Sequence, residues 1–287
     1  MKLENIISEI DNLETIGVSE NSSRREALKK ATNVAGKIAL TAVPFLFSGL
    51  FTKTYASPPP PPPTLSESLD VLNFALTLEY LEAGFYQNGV SAGASLIPSS
   101  TDRAAIKTIA AHEMEHVNFL KSVIVSLGGT PVALPTFDYT AGKGSGNGPF
   151  ADVFTNYQTF LAVAQTFEDT GVRAYKGQAP NLLKGGAYLT AALNIHSVEA
   201  RHASHIRQMR KNNGFADVKP WITGNESGIA SSAVQPSYDG ENNTVQAGIQ
   251  IVNINGMRIS ADAASEAFDE PLTKDQILAI VTPFFAA

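Results

Sequence analysis

Two stretches of this sequence hold all five of its histidines, and each pairs a glutamate with a histidine three residues on. Ala111–His116 contains Glu113-x-x-His116, and Ile195–His205 contains Glu199-x-x-His202. Residues three apart share one helix face, so each pair can grip a cation with a carboxylate and an imidazole. Two more glutamates, Glu79 and Glu168, stand alone on otherwise apolar stripes. These pieces form a repeat. Ala75-Leu-Thr-Leu-Glu79 matches Ala164-Gln-Thr-Phe-Glu168, Tyr86 matches Tyr175, and Ile109-x-x-x-Glu113-x-x-His116 matches Ile195-x-x-x-Glu199-x-x-His202. The lone glutamate precedes the paired one by 34 residues in the first half and 31 in the second. Four carboxylates and two imidazoles in a duplicated frame suit a dinuclear metal site inside a helical bundle. Shared carboxylates offset the repulsion between two cations, and buried glutamates without a cation would be costly. With no cysteine in the chain, any metal must bind through oxygen and nitrogen.

Around these six residues stand candidates for supporting roles. Tyr86 and Tyr175 lie two turns from a lone glutamate, and Glu82 lies one turn from Glu79, where its repeat partner is Gly171. His112 and His196 flank the inner stripe by about 100° and about 60°, as neighbours of the ligands. His205 falls about 120° from Glu199 and should face away, and Glu115 should be solvated. A rival pattern overlaps the first pair. His112-Glu113-Met114-Glu115-His116 is a literal zinc-protease helix motif, in which both histidines bind zinc and the glutamate is the base. That reading leaves Glu79, Glu168, Glu199 and His202 without a task.

Four helices must position this set. Apolar residues at spacings of three and four predict a first helix from Leu65 to about Gly89. A second starts at Ser100 or Thr101 and stops at Gly128-Gly129, a third spans roughly Ala151–Lys176, and a fourth runs from about Gly186 to Asn212. The Gly- and Pro-punctuated connection before Pro149 is long enough to cross a bundle end to end. The expected fold is all-α, an antiparallel four-helix bundle with one long crossover. Residues 214–287 follow as a C-terminal extension packing on the bundle, without chemistry of its own. In it, Asn255-Gly256 suggests a small hairpin, and Thr273-Lys-Asp-Gln276 a capping box opening a last helix through Phe285.

The chain of 287 residues is long enough for a substantial core, and its net charge of -6 argues against nucleic-acid binding. Residues 1–56 read as an export signal, with twin arginines Arg24-Arg25, an apolar run from Ile38 to Phe51 and small residues before Ala56. The run falls short of the ~20 residues that span a bilayer. The expected route is twin-arginine export to a periplasmic or extracellular site, with an uncleaved N-terminal membrane anchor as the rival. Residues 57–64, holding six consecutive prolines, make a stiff polyproline spacer ahead of a domain at 65–213.

Residues 65–212 resemble the bacterial ferritin-like families related to desiccation-associated proteins, and Phe268-Asp-Glu-Pro-Leu-Thr273 resembles that group's C-terminal region. The resemblance implies a ferritin-like bundle in which Glu79, Glu113, His116, Glu168, Glu199 and His202 hold two iron or manganese ions. It implies redox chemistry toward oxygen or peroxide, of ferroxidase, oxidase or manganese-catalase kind. The non-catalytic alternative is a metal-binding or stress-protective bundle. The partners expected are metal ions, oxygen or peroxide and the twin-arginine export machinery, with no nucleic acid, and the resemblance leaves a homo-oligomer open.

Overall fold

The computed structural model describes residues 64–182 and 186–286. The export signal and most of the proline spacer lie outside them. Among the described residues no helix is long and apolar enough to cross a membrane. Four long helices dominate: α1 (Leu65–Ala92), α2 (Ser100–Ser126), α3 (Tyr157–Gln178) and α4 (Ala187–Asn212). Thr64 opens α1 with a capping box to Glu67, and the Ser99 hydroxyl, rather than Ser100 or Thr101, caps α2 by accepting from the Asp102 amide. The helices pair as antiparallel hairpins, α1 with α2 and α3 with α4. α1 also lies on α3, whereas α2 and α4 touch sparsely.

Two boundaries differ from the periodicity. α1 continues through Gly89 to Ala92, because Gly89 serves a close approach: a Cβ there would sit 2.5 Å from the Phe160 ring. Gly93, with φ of 59°, is the residue that ends the helix. α3 begins at Tyr157 rather than near Ala151, since the Asn156 side chain accepts from the Gln158 and Thr159 amides. Phe154 keeps its inward place from the turn before the helix, its ring 5.6 Å from that of Phe85.

Two apolar clusters fill the bundle. One, rich in aromatics, gathers Phe85, Phe160 and Phe167 with Ile106 and Ile206, and the other gathers Leu72, Leu76, Leu120, Ile124 and Ile195. Between them runs a belt containing Glu79, Glu113, Glu168 and Glu199, all fully buried.

The extension wraps α3. After a two-residue hairpin, β1 (Val245–Gln246) and β2 (Ile249–Gln250), come α5 (Ala261–Ser265) and α6 (Lys274–Val281). The hairpin turns at Ala247-Gly248, both with positive φ, while Asn255-Gly256 lies in a 3-10 turn instead. The Thr273–Gln276 capping box is present, and α6 gives way at Val281 to a 3-10 turn holding Pro283. Ile277, Val281 and Phe284 join the aromatic cluster. Phe285 pairs with Phe137 of the crossover, clasping the chain's end to the bundle. Near its start the extension lies along α4, where Pro220, half-exposed Trp221 and buried Ile222 line a cleft with Ala200 and Arg207.

Candidate metal centre

Each long helix delivers one or two side chains into the belt, and one turn of helix separates the members of each pair. Two groups result: Glu79, Glu113, His116 and Glu199, then Glu113, Glu168, Glu199 and His202. In each, the potential ligand atoms lie within 4.8 Å of one another. All six expected residues come together, and Glu113 and Glu199 belong to both groups. His116 Nδ1 stands 3.1 Å from Glu79 Oε2, 3.2 Å from Glu113 Oε2 and 3.3 Å from Glu199 Oε1. His202 Nδ1 stands 2.7 Å from Glu113 Oε1 and 3.4 Å from Glu168 Oε2.

The tyrosines complete the symmetry of the repeat. Tyr86 donates to Glu168 Oε1 at 2.5 Å, and Tyr175 donates to Glu79 Oε1. Burial, reinforced by the neighbouring carboxylate, holds both phenols well above their ordinary range, so each stays a donor. Each hydroxyl takes one oxygen of its glutamate and leaves the other facing the belt. His112 supports from outside, its Nδ1 3.0 Å from His202 Nε2. Burial and the charge of His202 push His112 down.

Glu82 takes a place beside the ligands, one of the two expected of it: it is buried, and with Glu199 it crowds Gly171. A Cβ at Gly171 would stand 3.0 Å from Glu199 Oε2 and 3.2 Å from Glu82 Oε1. The missing side chain of the second half makes room for the extra acid of the first. His196 belongs to neither group and lies against the Val172 backbone. Its neighbourhood corrects the expectation of a role beside the ligands. His205 and Glu115 are exposed, as expected. The zinc-protease arrangement does not form: His112 belongs to neither group, and Glu113 lies between His116 and His202 as a shared member of both.

Electrostatically the belt is crowded with acid. Burial pushes Glu79 up to about 7, and burial plus neighbouring carboxylates push Glu82 and Glu199 well above the usual range. Burial also raises Glu168. Burial acts the same way on Glu113, but the close imidazoles of His116 and His202 outweigh it and bring it to about 2. Burial disfavours charge on the two imidazoles as well. Contacts with Glu113, Glu199 and Glu79 nevertheless raise His116 to about 12, and Glu168 and Glu113 raise His202 to about 11.

The fit of a cation follows from atoms left over. Glu113 Oε1, Glu168 Oε2, both oxygens of Glu199 and His202 Nδ1 are buried without a well-directed hydrogen bond. His202 Nδ1 and Glu113 Oε1 lie 2.7 Å apart, an ion-pair distance, without forming a hydrogen bond. A buried polar atom without a partner costs on the order of 1–3 kcal/mol. Of the eight such side-chain atoms among the described residues, five belong to one group of potential ligands, a concentration that a shared cation relieves.

Residues 67–212, just over half of the chain, match a family model described as Ferritin-like domain. The chain belongs to that family. No curated protein shows a significant match to it. The match ends at the close of α4, so the extension lies outside the shared ferritin-like part.

A second buried polar cluster lies on the outer side of α3, where sequence reasoning missed it. Gln165, Asp169 and Arg173, four residues apart, meet Arg207 and Arg210 from α4 and Tyr238 and Glu241 from the extension. Arg207 grips Asp169 through Nε and Nη2, and Tyr238 donates to Asp169 at 2.8 Å. Arg173 bonds Glu241 at 2.7 Å and the carbonyls of Ser237, Asp239 and Glu270. The signal was available: a four-residue polar spacing opposite the inner stripe marks a second buried face.

Proposed function

We propose that this ferritin-like protein binds two iron or manganese ions in the belt, with Glu79, Glu113, His116, Glu168, Glu199 and His202 as ligands. The observation that carries the reading is the set of five orphaned buried ligand atoms within a duplicated carboxylate–imidazole frame. Carboxylates and imidazoles without thiolate suit iron and manganese. When bound, such a pair supplies two electrons, enough to take dioxygen and two protons to hydrogen peroxide, or hydrogen peroxide and two protons to two waters. The protein's part is positional. Glu113 and Glu199, shared by both groups, would serve both ions. Tyr86 and Tyr175 hold Glu168 and Glu79 to one inward oxygen each, and His112 fixes the ring of His202. Burial of the belt excludes bulk water.

The reading extends to a twin-arginine exported protein, since that route carries folded chains and so a metal loaded beforehand. Kinship with desiccation-associated proteins, resting on the resemblance of residues 65–212 and of the Phe268–Thr273 segment, would place the centre in a stress response.

Elemental analysis tests the core of the proposal. Protein loaded with iron or manganese should hold about two ions per chain. Glu199→Gln, which removes a member of both groups while keeping its shape, should lose most of that metal. Wild-type protein that takes up none, or a variant with the full complement, would overturn the reading. Oxygen and peroxide consumption by the two loaded forms then separates a redox centre from a structural one.

A further inference from the structure

About one turn from Glu79 and Glu199, on the side of Ala75 and Ile195, the four helices leave a cavity of about 30 Å³. It opens where α2 and α4 touch sparsely, with Phe119 half exposed beside it. Its walls include Ala75, Leu120, Tyr175, Ala192 and Ile195, one or more from each long helix. Of its three polar residues, two are committed elsewhere, the Tyr175 hydroxyl to Glu79 and Gln178 Oε1 as acceptor from Asn181, and the third is half-buried Tyr188. The Tyr175 ring is therefore a wall of the cavity, while its hydroxyl is part of the belt.

We propose that this pocket holds dioxygen for the neighbouring centre, so that dioxygen rather than peroxide is the oxidant the fold is shaped to take. The inference rests on the metal-centre reading and adds the substrate to it. Three considerations carry it. Size comes first: a cavity that admits benzene measures about 150 Å³, so this one suits a molecule of two or three heavy atoms and not a ring or an acyl chain. Polarity comes second. Buried water needs two to four polar partners, and apolar cavities stay dry but accept gases such as xenon. Hydrogen peroxide, with two donors and four lone pairs, would forfeit most of its hydrogen bonds among these largely apolar walls. Dioxygen has none to lose. Position comes third, because one side chain, Tyr175, borders both the cavity and the carboxylate it holds.

The first arm of the test uses metal-free protein and xenon, an apolar probe of comparable size. Xenon-129 resonance should show saturable binding to the wild type and its loss in Ala192→Phe, whose ring fills the pocket. Dioxygen pressure should likewise speed relaxation of the Ala75, Ala192 and Ile195 methyl groups more than that of other buried methyls. Ala75→Leu fills the same space from α1 and serves if Ala192→Phe does not fold. The second arm uses iron-loaded protein: the filled variant should keep its metal, consume dioxygen several-fold more slowly and consume peroxide at the wild-type rate. Absence of xenon and dioxygen from the pocket of a protein that does hold metal overturns the pocket proposal and leaves the metal centre standing. Equal slowing with both oxidants overturns it as well. A protein without metal fails the metal-centre reading instead, and the xenon arm still decides what the pocket takes.

Discussion

Glu113 and Glu199 are the side chains on which both halves of the belt depend, whereas Glu79 and Glu168 depend on something themselves. Each has one oxygen tied to a tyrosine from the other half of the repeat, Tyr175 on α3 reaching Glu79 on α1 and Tyr86 on α1 reaching Glu168 on α3. Removing such an outer partner of a ligand commonly weakens metal affinity 10–100-fold, so Tyr175→Phe should loosen metal by about 10-fold or more with the fold intact. Competition titration against a chelator measures it. An unchanged affinity would show that Glu79 holds its orientation without the phenol. These six glutamate and histidine positions, and both tyrosines, were legible in the sequence because the repeat sets their phase independently of any helix boundary. Glu82 was legible as a neighbour of Glu79, but its burial was not. Its burial depends on the space above Gly171, and a missing side chain leaves no pattern to read. His196 was misread for the opposite reason: 60° of helix phase is enough to turn a ring from the belt to the Val172 backbone.

α3 is the element that periodicity described least well. Its inner stripe was evident, yet the helix is buried on nearly every side, because the extension covers what a bundle of four would leave wet. A stripe argument assumes one solvated face, so Gln165, Asp169 and Arg173 read as surface until Tyr238 and Glu241 are brought over them. Contact is closest at Gly177, where a Cβ would stand 1.9 Å from the Leu272 carbonyl oxygen. Backbone cannot swing aside as a side-chain tip can. Gly177→Ala should therefore cost about 1–3 kcal/mol of stability by overpacking, despite the better helix propensity of alanine. Thermal denaturation would show it as a lowered midpoint, and a raised one would mean that the extension yields freely. Helix types and order were legible from spacing alone, but helix ends were not. Gly89 read as a stop and is a contact, while Asn156, a cap by its side chain, sat inside a run that looked continuous.

For the molecule as a whole, the belt makes stability and metal binding functions of pH. Glu79, raised to about 7, keeps a proton in the folded chain that the unfolded chain releases near 4.5, so folding weakens as pH rises through that interval. His116 and His202, raised to about 12 and about 11, hold protons that the unfolded chain releases near 6.5. Their pairing stabilises fully below that value and is lost as pH climbs toward the folded values. Glu113, held at about 2, acts the other way, its contribution lost only as pH falls through that value. Metal-free protein should thus lose stability from about pH 5 to pH 8, while bound metal, which displaces these protons, should stabilise more over the same range. Melting curves with and without metal at several pH values test both trends, and parallel curves would contradict them. The cleft beside α4 gives a way to watch the assembly come apart. Trp221 is the chain's only tryptophan, and it sits where the extension meets α4. Its emission is consequently an optical signal of one seam, separable from the helix signal of the whole bundle in circular dichroism. Because undocking the extension would strand the buried charges of Asp169, Arg173 and Arg207, the seam has no cheap way to open ahead of the helices. Fluorescence and dichroism should report a single shared transition, and a tryptophan change that runs ahead would reveal a bundle able to stand with its outer polar face in water.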